Sequence, residues 1–227
     1  MARKMSYFFA VSAAAILVSG LGLTQAAADT QELPSEFVTE VTTVWNAHGV
    51  SAATQESLLT KLKAGEPVEA MGTGAAPVFV GESEVEGTLE KVSTYSDGSI
   101  AVLTLERPAV PEWGGDRTRG VSGCSMSGAG RIHTNCKVSG WFTGVSLSFL
   151  ADYKLGTVED ARINNYWAPT VGCVFPLTCT GPTLEVTRLA QMGSLAARVG
   201  VVAYWSGAGS GTTRLFLDVR DYSATTN

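Results

Sequence analysis

Histidine, clustered basic charge and metal-type cysteine pairs are all scarce in this chain, and each scarcity closes off a chemistry. The 227 residues hold two histidines, His48 and His133. No H-E-x-x-H is present, and two histidines far apart in sequence do not nucleate an ordinary zinc site. A Ser–His–acid hydrolase would need one of them as its base. The G-x-S-x-G context of a nucleophile is missing. The serines of GCSMSG at 123–128 are explained by a Gly/Ser-rich turn. Position alone recommends His133, which lies in the polar stretch RIHTN on the face opposite Ile132. His48 sits on the apolar side of a helical pattern. The glycines form neither a phosphate loop nor a dinucleotide fingerprint, and no D-x-D-x-D-G calcium loop occurs. No cofactor is therefore expected.

Charge is short on the positive side. Lys and Arg number 16 against 21 Asp and Glu, a formal net charge of -5. That sign argues against nucleic acid or an anionic membrane as the main partner.

A long apolar run occurs only at the N-terminus. Arg3 and Lys4 precede an apolar stretch from Tyr7 to Leu23, and Ala26 and Ala28 supply the small residues of a cleavage site. Residues 1–28 read as a cleaved signal peptide. The rival reading is a permanent transmembrane anchor. The run is slightly short for that, softened by glycine, and followed by no basic stop-transfer cluster. No cysteine near the cut suggests lipid attachment, and the C-terminal DYSATTN carries no anchor. Cleavage would remove Arg3 and Lys4 and no acid, leaving 14 basic and 21 acidic residues, net -7. The mature chain is expected outside the cytoplasm, without stable membrane insertion.

There are four cysteines, Cys124, Cys136, Cys173 and Cys179. In an exported chain an even count reads as disulfides. Three connectivities are possible, and the local one, Cys124–Cys136 with Cys173–Cys179, is favoured. A four-thiolate zinc site is the alternative. The spacings C-x11-C and C-x5-C contain no C-x-x-C, so no metal is expected.

The remainder divides by periodicity. Phe37, Val41, Val44, Trp45 and His48 share one helix face, and Gly49 stops that helix. Ser51 can cap a second helix with Leu58, Leu59 and Leu62 on its apolar side. Residues 29–70 thus form a helical hairpin, followed by a Gly/Ala/Pro-rich linker at 71–84. From 85 to 227 the pattern is that of strands. Val85–Tyr95 and Ile100–Glu106 flank an Asp97-Gly98 turn. The clearest strand is 141–153, with Trp141, Val145, Leu147, Phe149, Ala151 and Tyr153 on one face. Ile132, Thr134, Cys136 and Val138 alternate likewise, as do Val199 to Trp205 and Leu215 to Val219; Leu184 and Val186 mark another strand. The fold class is mainly β: an antiparallel β-sandwich preceded by a short helical hairpin.

Glu82, Glu84, Glu86 and Glu90 alternate as a solvated strand face would. Asp152, Glu159 and Asp160 flank a turn. Any two acids brought together could serve a glycoside hydrolase, but no pair declares itself. The more informative feature is aromatic residues in loop-like stretches. Trp113 lies in VPEWGGD, and Tyr166 and Trp167 in NNYWAPT. A Cys173–Cys179 bond would staple Val174 to Thr178 with Phe175 in the loop. Rigid loops bearing aromatics form binding surfaces. Alternatively, Trp167 and Phe175 plug an open end of the core, as Trp141 and Trp205 fill its middle.

At GVSAATQESLLTKLKAGEPVEAM (49–71), YSDGSIAV (95–102), GVSGCSMSGAG…NCKVSGW (120–141) and SFLADY (148–153) the chain resembles a group of secreted proteins from high-GC Gram-positive bacteria. The similarity runs over most of the mature chain. It implies export and the cysteine pairing, and carries over no activity and no functional residue. The expectation is a secreted, non-enzymatic binding protein. Its contacts would be made through loops 110–119 and 166–181, with cell-wall glycan or an extracellular protein as partner. The alternatives are a secreted glycan or peptidoglycan hydrolase, and a protease inhibitor or toxin presenting the stapled loop.

Overall fold

The computed structural model describes residues 32–85, 87–108, 123–129, 131–157, 160–207 and 209–227. Helices α1 (Ser35–Ala47) and α2 (Ala52–Lys63) come first. The Ser51 hydroxyl accepts from the Thr54 amide at 3.2 Å, capping α2 as its sequence position requires. Phe37, Val41 and Trp45 of α1 and Leu58 and Leu62 of α2 are buried. They belong to the same core as the strands. The helical hairpin is therefore part of the domain.

Eleven strands follow among the described residues. The larger sheet runs β1 (Phe79–Val85), β2 (Thr88–Thr94), β3 (Ile100–Glu106), β5 (Ile132–Trp141), β6 (Val145–Lys154), β7 (Arg162–Cys173), with the short β4 (Ser125–Ser127) also on β5. The smaller runs β11 (Ser223–Thr226), β10 (Gly209–Arg220), β9 (Ala197–Gly207), β8 (Thr178–Arg188). All pairings between strands are antiparallel. Strand β6 lies against β9 and β10 of the other sheet. Val145, Leu147, Phe149, Ala151 and Tyr153 on one side meet a layer that includes Val199, Val201, Ala203, Leu215 and Leu217 on the other, all buried. Strict alternation forces this: a strand with apolar residues at every second position has one face to bury.

Three stretches depart from the sequence pattern. The linker expected at 71–84 contains most of β1, an edge strand with largely exposed side chains, so no burial pattern announces it. The expected strand 85–95 is broken by a turn at Gly87, φ 74°, that returns the chain from β1 into β2. Glu82 and Glu84 therefore lie on β1 while Glu90 lies on β2; Glu86 is outside the described residues. Likewise 141–153 is a hairpin corner followed by β6. Thr143 (φ 49°) and Gly144 (φ 84°) make a two-residue turn of the type that needs both central residues left-handed. A Cβ on Gly144 would come within 2.6 Å of the Phe37 ring, so glycine also lets α1 dock.

The Asp97 carboxylate ties the β2–β3 turn to α2 and to the segment that follows it. Asp97 accepts from Lys61 Nζ at 2.9 Å and the Glu69 amide at 3.0 Å, and from the Ser99 amide at 3.0 Å and its hydroxyl at 2.6 Å. Burial pushes this carboxyl upward, but hydrogen bonds from Ser99, Lys61 and the Glu69 amide outweigh it and hold it below the ordinary aspartate value. A group lowered in the folded state stabilises above its unfolded pKa, and that contribution is lost as pH falls through the folded value. Asp97→Ala should cost about 2 kcal/mol at neutral pH, the scale of charge-assisted hydrogen bonds. In urea melts the gap between variant and parent should close below about pH 4. A gap independent of pH would show that the carboxylate charge is irrelevant there.

Candidate functional site

The outward face of the larger sheet can be read from its registers. Directly opposed residues in an antiparallel pair share a face. One row across the sheet is Val102, Trp141, Ser146, Gly172. The next is Thr104, Ser139, Ser148, Thr170. The third contains Lys137, Leu150 and Trp167. Ten residues, Gly140 and Leu147 among them, line a groove of about 370 Å³ that includes all of the second row, with Trp141 and Lys137 beside it.

The hydroxyl row spans three strand spacings, about 14 Å. Its members pair: Thr104 and Ser139 at 2.6 Å, Ser148 and Thr170 at 2.7 Å. Each hydroxyl has one donor and two acceptor sites, so these pairs leave hydrogen-bonding capacity directed outward. The flanking rows lie about 7 Å to either side along the strands. Trp141 thus borders the row on one side and Lys137, Leu150 and Trp167 on the other. Gly172 keeps the edge low, since a Cβ there would lie 2.6 Å from Ser146 Oγ. No carboxylate is among the groove's lining residues.

The aromatics expected in loops are distributed differently. Tyr166 and Trp167 stand in β7, not in a loop, and both are half-buried. Tyr166 opposes Ala151 and packs against the core, while Trp167 opposes Leu150 on the outward face. A register shift between Ser148 and Leu150, with Ala168 at φ 51°, bends β7 beside them. Phe175 stays in a stapled loop, 71 % exposed, and does not plug the core, whereas Leu177 beneath it is buried. Trp113, and with it the loop 110–119, lies outside the described residues. Trp141 closes the β5 strand and borders the groove. Its position in an alternating pattern made it look like a core residue. Trp205 is in the core, donating through Nε1 to the Met71 carbonyl at 3.0 Å.

Both disulfides have the local pairing, Cys124–Cys136 and Cys173–Cys179. The second joins the end of β7 to the start of β8 and so staples one sheet to the other. The first lies beside His133, and Cys124, His133 and Cys136 bring three donor atoms together away from the groove. His133 is buried and stacked on Tyr153, whose phenol burial raises well above its ordinary value. Four of the acids singled out in the sequence lie beside structural partners, while Glu82 is exposed on β1. Asp152 accepts from the Asn135 amide at 2.7 Å, and Asp160 from Lys154 Nζ at 2.8 Å. Glu84 pairs with Arg107, and Glu90 lies 3.9 Å from His48. Glu159 is outside the described residues.

No helix among the described residues is long and apolar enough to cross a membrane. The chain is a mainly β, two-sheet protein with two disulfides and a hydroxyl-lined groove on one outer face. Comparison with protein-family models, curated proteins and solved structures finds no match.

Proposed function

We propose that this chain is an exported, non-enzymatic binding module that holds a glycan of the cell envelope across the outer face of its larger sheet. Export is supported by the signal-like residues 1–28, the two disulfides and the resemblance to secreted proteins of high-GC Gram-positive bacteria. The observation that carries the ligand class is the row Thr104, Ser139, Ser148, Thr170 between two indoles. A sugar ring offers hydroxyls around its rim and C–H groups on its faces. The rim is matched by side-chain hydroxyls and the faces by Trp141 and Trp167. A β-sheet is rigid, so ligand ordering is the only large entropic cost.

The test is retention of the mature, oxidised protein on insoluble cell-wall glycan. Trp141→Ala and Trp167→Ala should each weaken retention at least about tenfold, or about 1.4 kcal/mol. Retention of both variants at the parent level would sink the glycan reading. A second reading rests on Phe175, which is held in the Cys173–Cys179 loop and strongly exposed. Such an apolar anchor suits an extracellular protein partner, a protease included. Phe175→Ala should leave glycan retention intact and abolish only an association of that kind.

A further inference from the structure

Strand β5 contains one residue more than regular pairing allows. The β5–β6 register shifts between His133 and Cys136, and Asn135 there has φ 57°. In a regular strand, residues three apart point to opposite faces. The bulge reverses the alternation, and His133 and Cys136 both turn inward, 7 % and 0 % exposed. Asp152 fixes the bulge through the Asn135 amide. Cys124, 8 % exposed, arrives just before β4. One donor atom from each of Cys124, His133 and Cys136 then lies within 4.8 Å of the other two. Tyr153 stacks on the imidazole at 4.6 Å and 11°, which fixes its plane.

A closed disulfide offers no thiolate, the form of cysteine that binds metals. Opened, the same pair places two thiolates beside an imidazole, a set suited to Zn²⁺. Tetrahedral Zn²⁺ with Zn–S bonds of about 2.3 Å needs its sulfurs about 3.8 Å apart. Opening the bond frees the two sulfurs to part to that distance, while one donor atom of His133 already lies within 4.8 Å of both.

We propose that Cys124, His133 and Cys136 form a redox-gated Zn²⁺ site, filled when the pair is reduced and emptied when the disulfide closes. The steps balance. A small dithiol gives two electrons and two protons to the Cys124–Cys136 bond and leaves as its own disulfide. Zn²⁺ displaces both thiol protons to solvent, takes a lone pair from a His133 ring nitrogen and keeps a water as fourth ligand. In the other direction a disulfide oxidant accepts two electrons from the thiolates and two protons from solvent and departs as two thiols, the Cys124–Cys136 bond re-forms, and the ion leaves with its water. The bulge thus has a chemical consequence, since without it the imidazole would lie across the sheet from Cys136.

The experiment uses the mature chain carrying Cys173→Ser and Cys179→Ser, so that one cysteine pair remains. It is reduced with a dithiol, freed of excess reductant and titrated with Co²⁺, then with Zn²⁺. The reduced chain should bind one Co²⁺ with a thiolate-to-cobalt charge-transfer band, which one equivalent of Zn²⁺ bleaches; the oxidised chain should show none. His133→Asn and, separately, Cys124→Ser should weaken binding at least about tenfold, the loss of a ligand exceeding that of an outer-sphere partner. Far-ultraviolet circular dichroism follows the fold throughout. No stoichiometric band in a folded reduced chain overturns the proposal. So does binding at the parent level by either variant, or a reduced chain that is unfolded and that Zn²⁺ does not refold.

Discussion

Replacing Trp45 with alanine is expected to destabilise the whole chain by about 3 kcal/mol, the lower end of the range for a buried tryptophan. Trp45 is fully buried on the face of α1 that carries Phe37 and Val41, in the same core as Leu58 and Leu62 of α2. These residues are continuous with Phe149 and Leu147 of β6 through one core. Removing the indole leaves a cavity that packed strands cannot collapse into, and the loss grows with the volume left empty. One term works the other way. Trp45 Nε1 is buried without a hydrogen-bond partner among the described residues, so the native side chain already carries a desolvation cost that alanine removes. The decisive feature is cooperativity. A helical stalk would melt apart from the sandwich, whereas a hairpin sharing its core must melt with it. Urea unfolding followed by circular dichroism and by tryptophan fluorescence should give coincident transitions, both moved to lower urea in the variant. An unchanged sheet transition beside a shifted helical one would mean that the helices and strands do not share a core.

How much could be read beforehand depended on which residues carry a periodic signal. The helices were legible because Phe37, Val41 and Trp45 repeat at helical spacing and Ser51 stands where a cap is needed. Strands β6, β9 and β10 were legible because each buries one face. Strand β1 was not, since an exposed edge strand buries little and its Gly81, following the Gly/Ala/Pro-rich residues before it, resembles a linker. The bulge at Asn135 was invisible for a different reason: it changes the phase of the alternation without changing composition. Reading on through it put Ile132 with Cys136 and sent His133 the wrong way. The groove was missed because serine and threonine at alternate positions look like an ordinary solvated face. Only pairing across four strands aligns Thr104, Ser139, Ser148 and Thr170, and register is a long-range property. Trp167 was expected in a loop, but a strand holds it on the outward face of the larger sheet.

The two disulfides are expected to contribute unequally. Replacing Cys124 and Cys136 together by alanine should cost about 3 kcal/mol, from the closure entropy of a 12-residue separation. The corresponding change at Cys173 and Cys179, separated by 6, should cost about 2 kcal/mol. Packing widens the difference. Cys136 is fully buried, so its loss also removes core contacts, while Cys173 and Cys179 are only half-buried. The consequences should differ in kind as well. The first bond closes a ring that contains β4 and the start of β5, and its removal should lower the midpoint of global unfolding. The second orders the segment that carries Phe175 at the corner between the sheets. Its removal should release that side chain locally, raising proteolytic cleavage between 174 and 178 before any global change is seen. Urea melts of the two double variants beside limited proteolysis check both statements. If the Cys173/Cys179 variant lost more stability than the Cys124/Cys136 variant, closure entropy and burial would not be what ranks these bonds, and the corner between the sheets would have to be the more cooperative element.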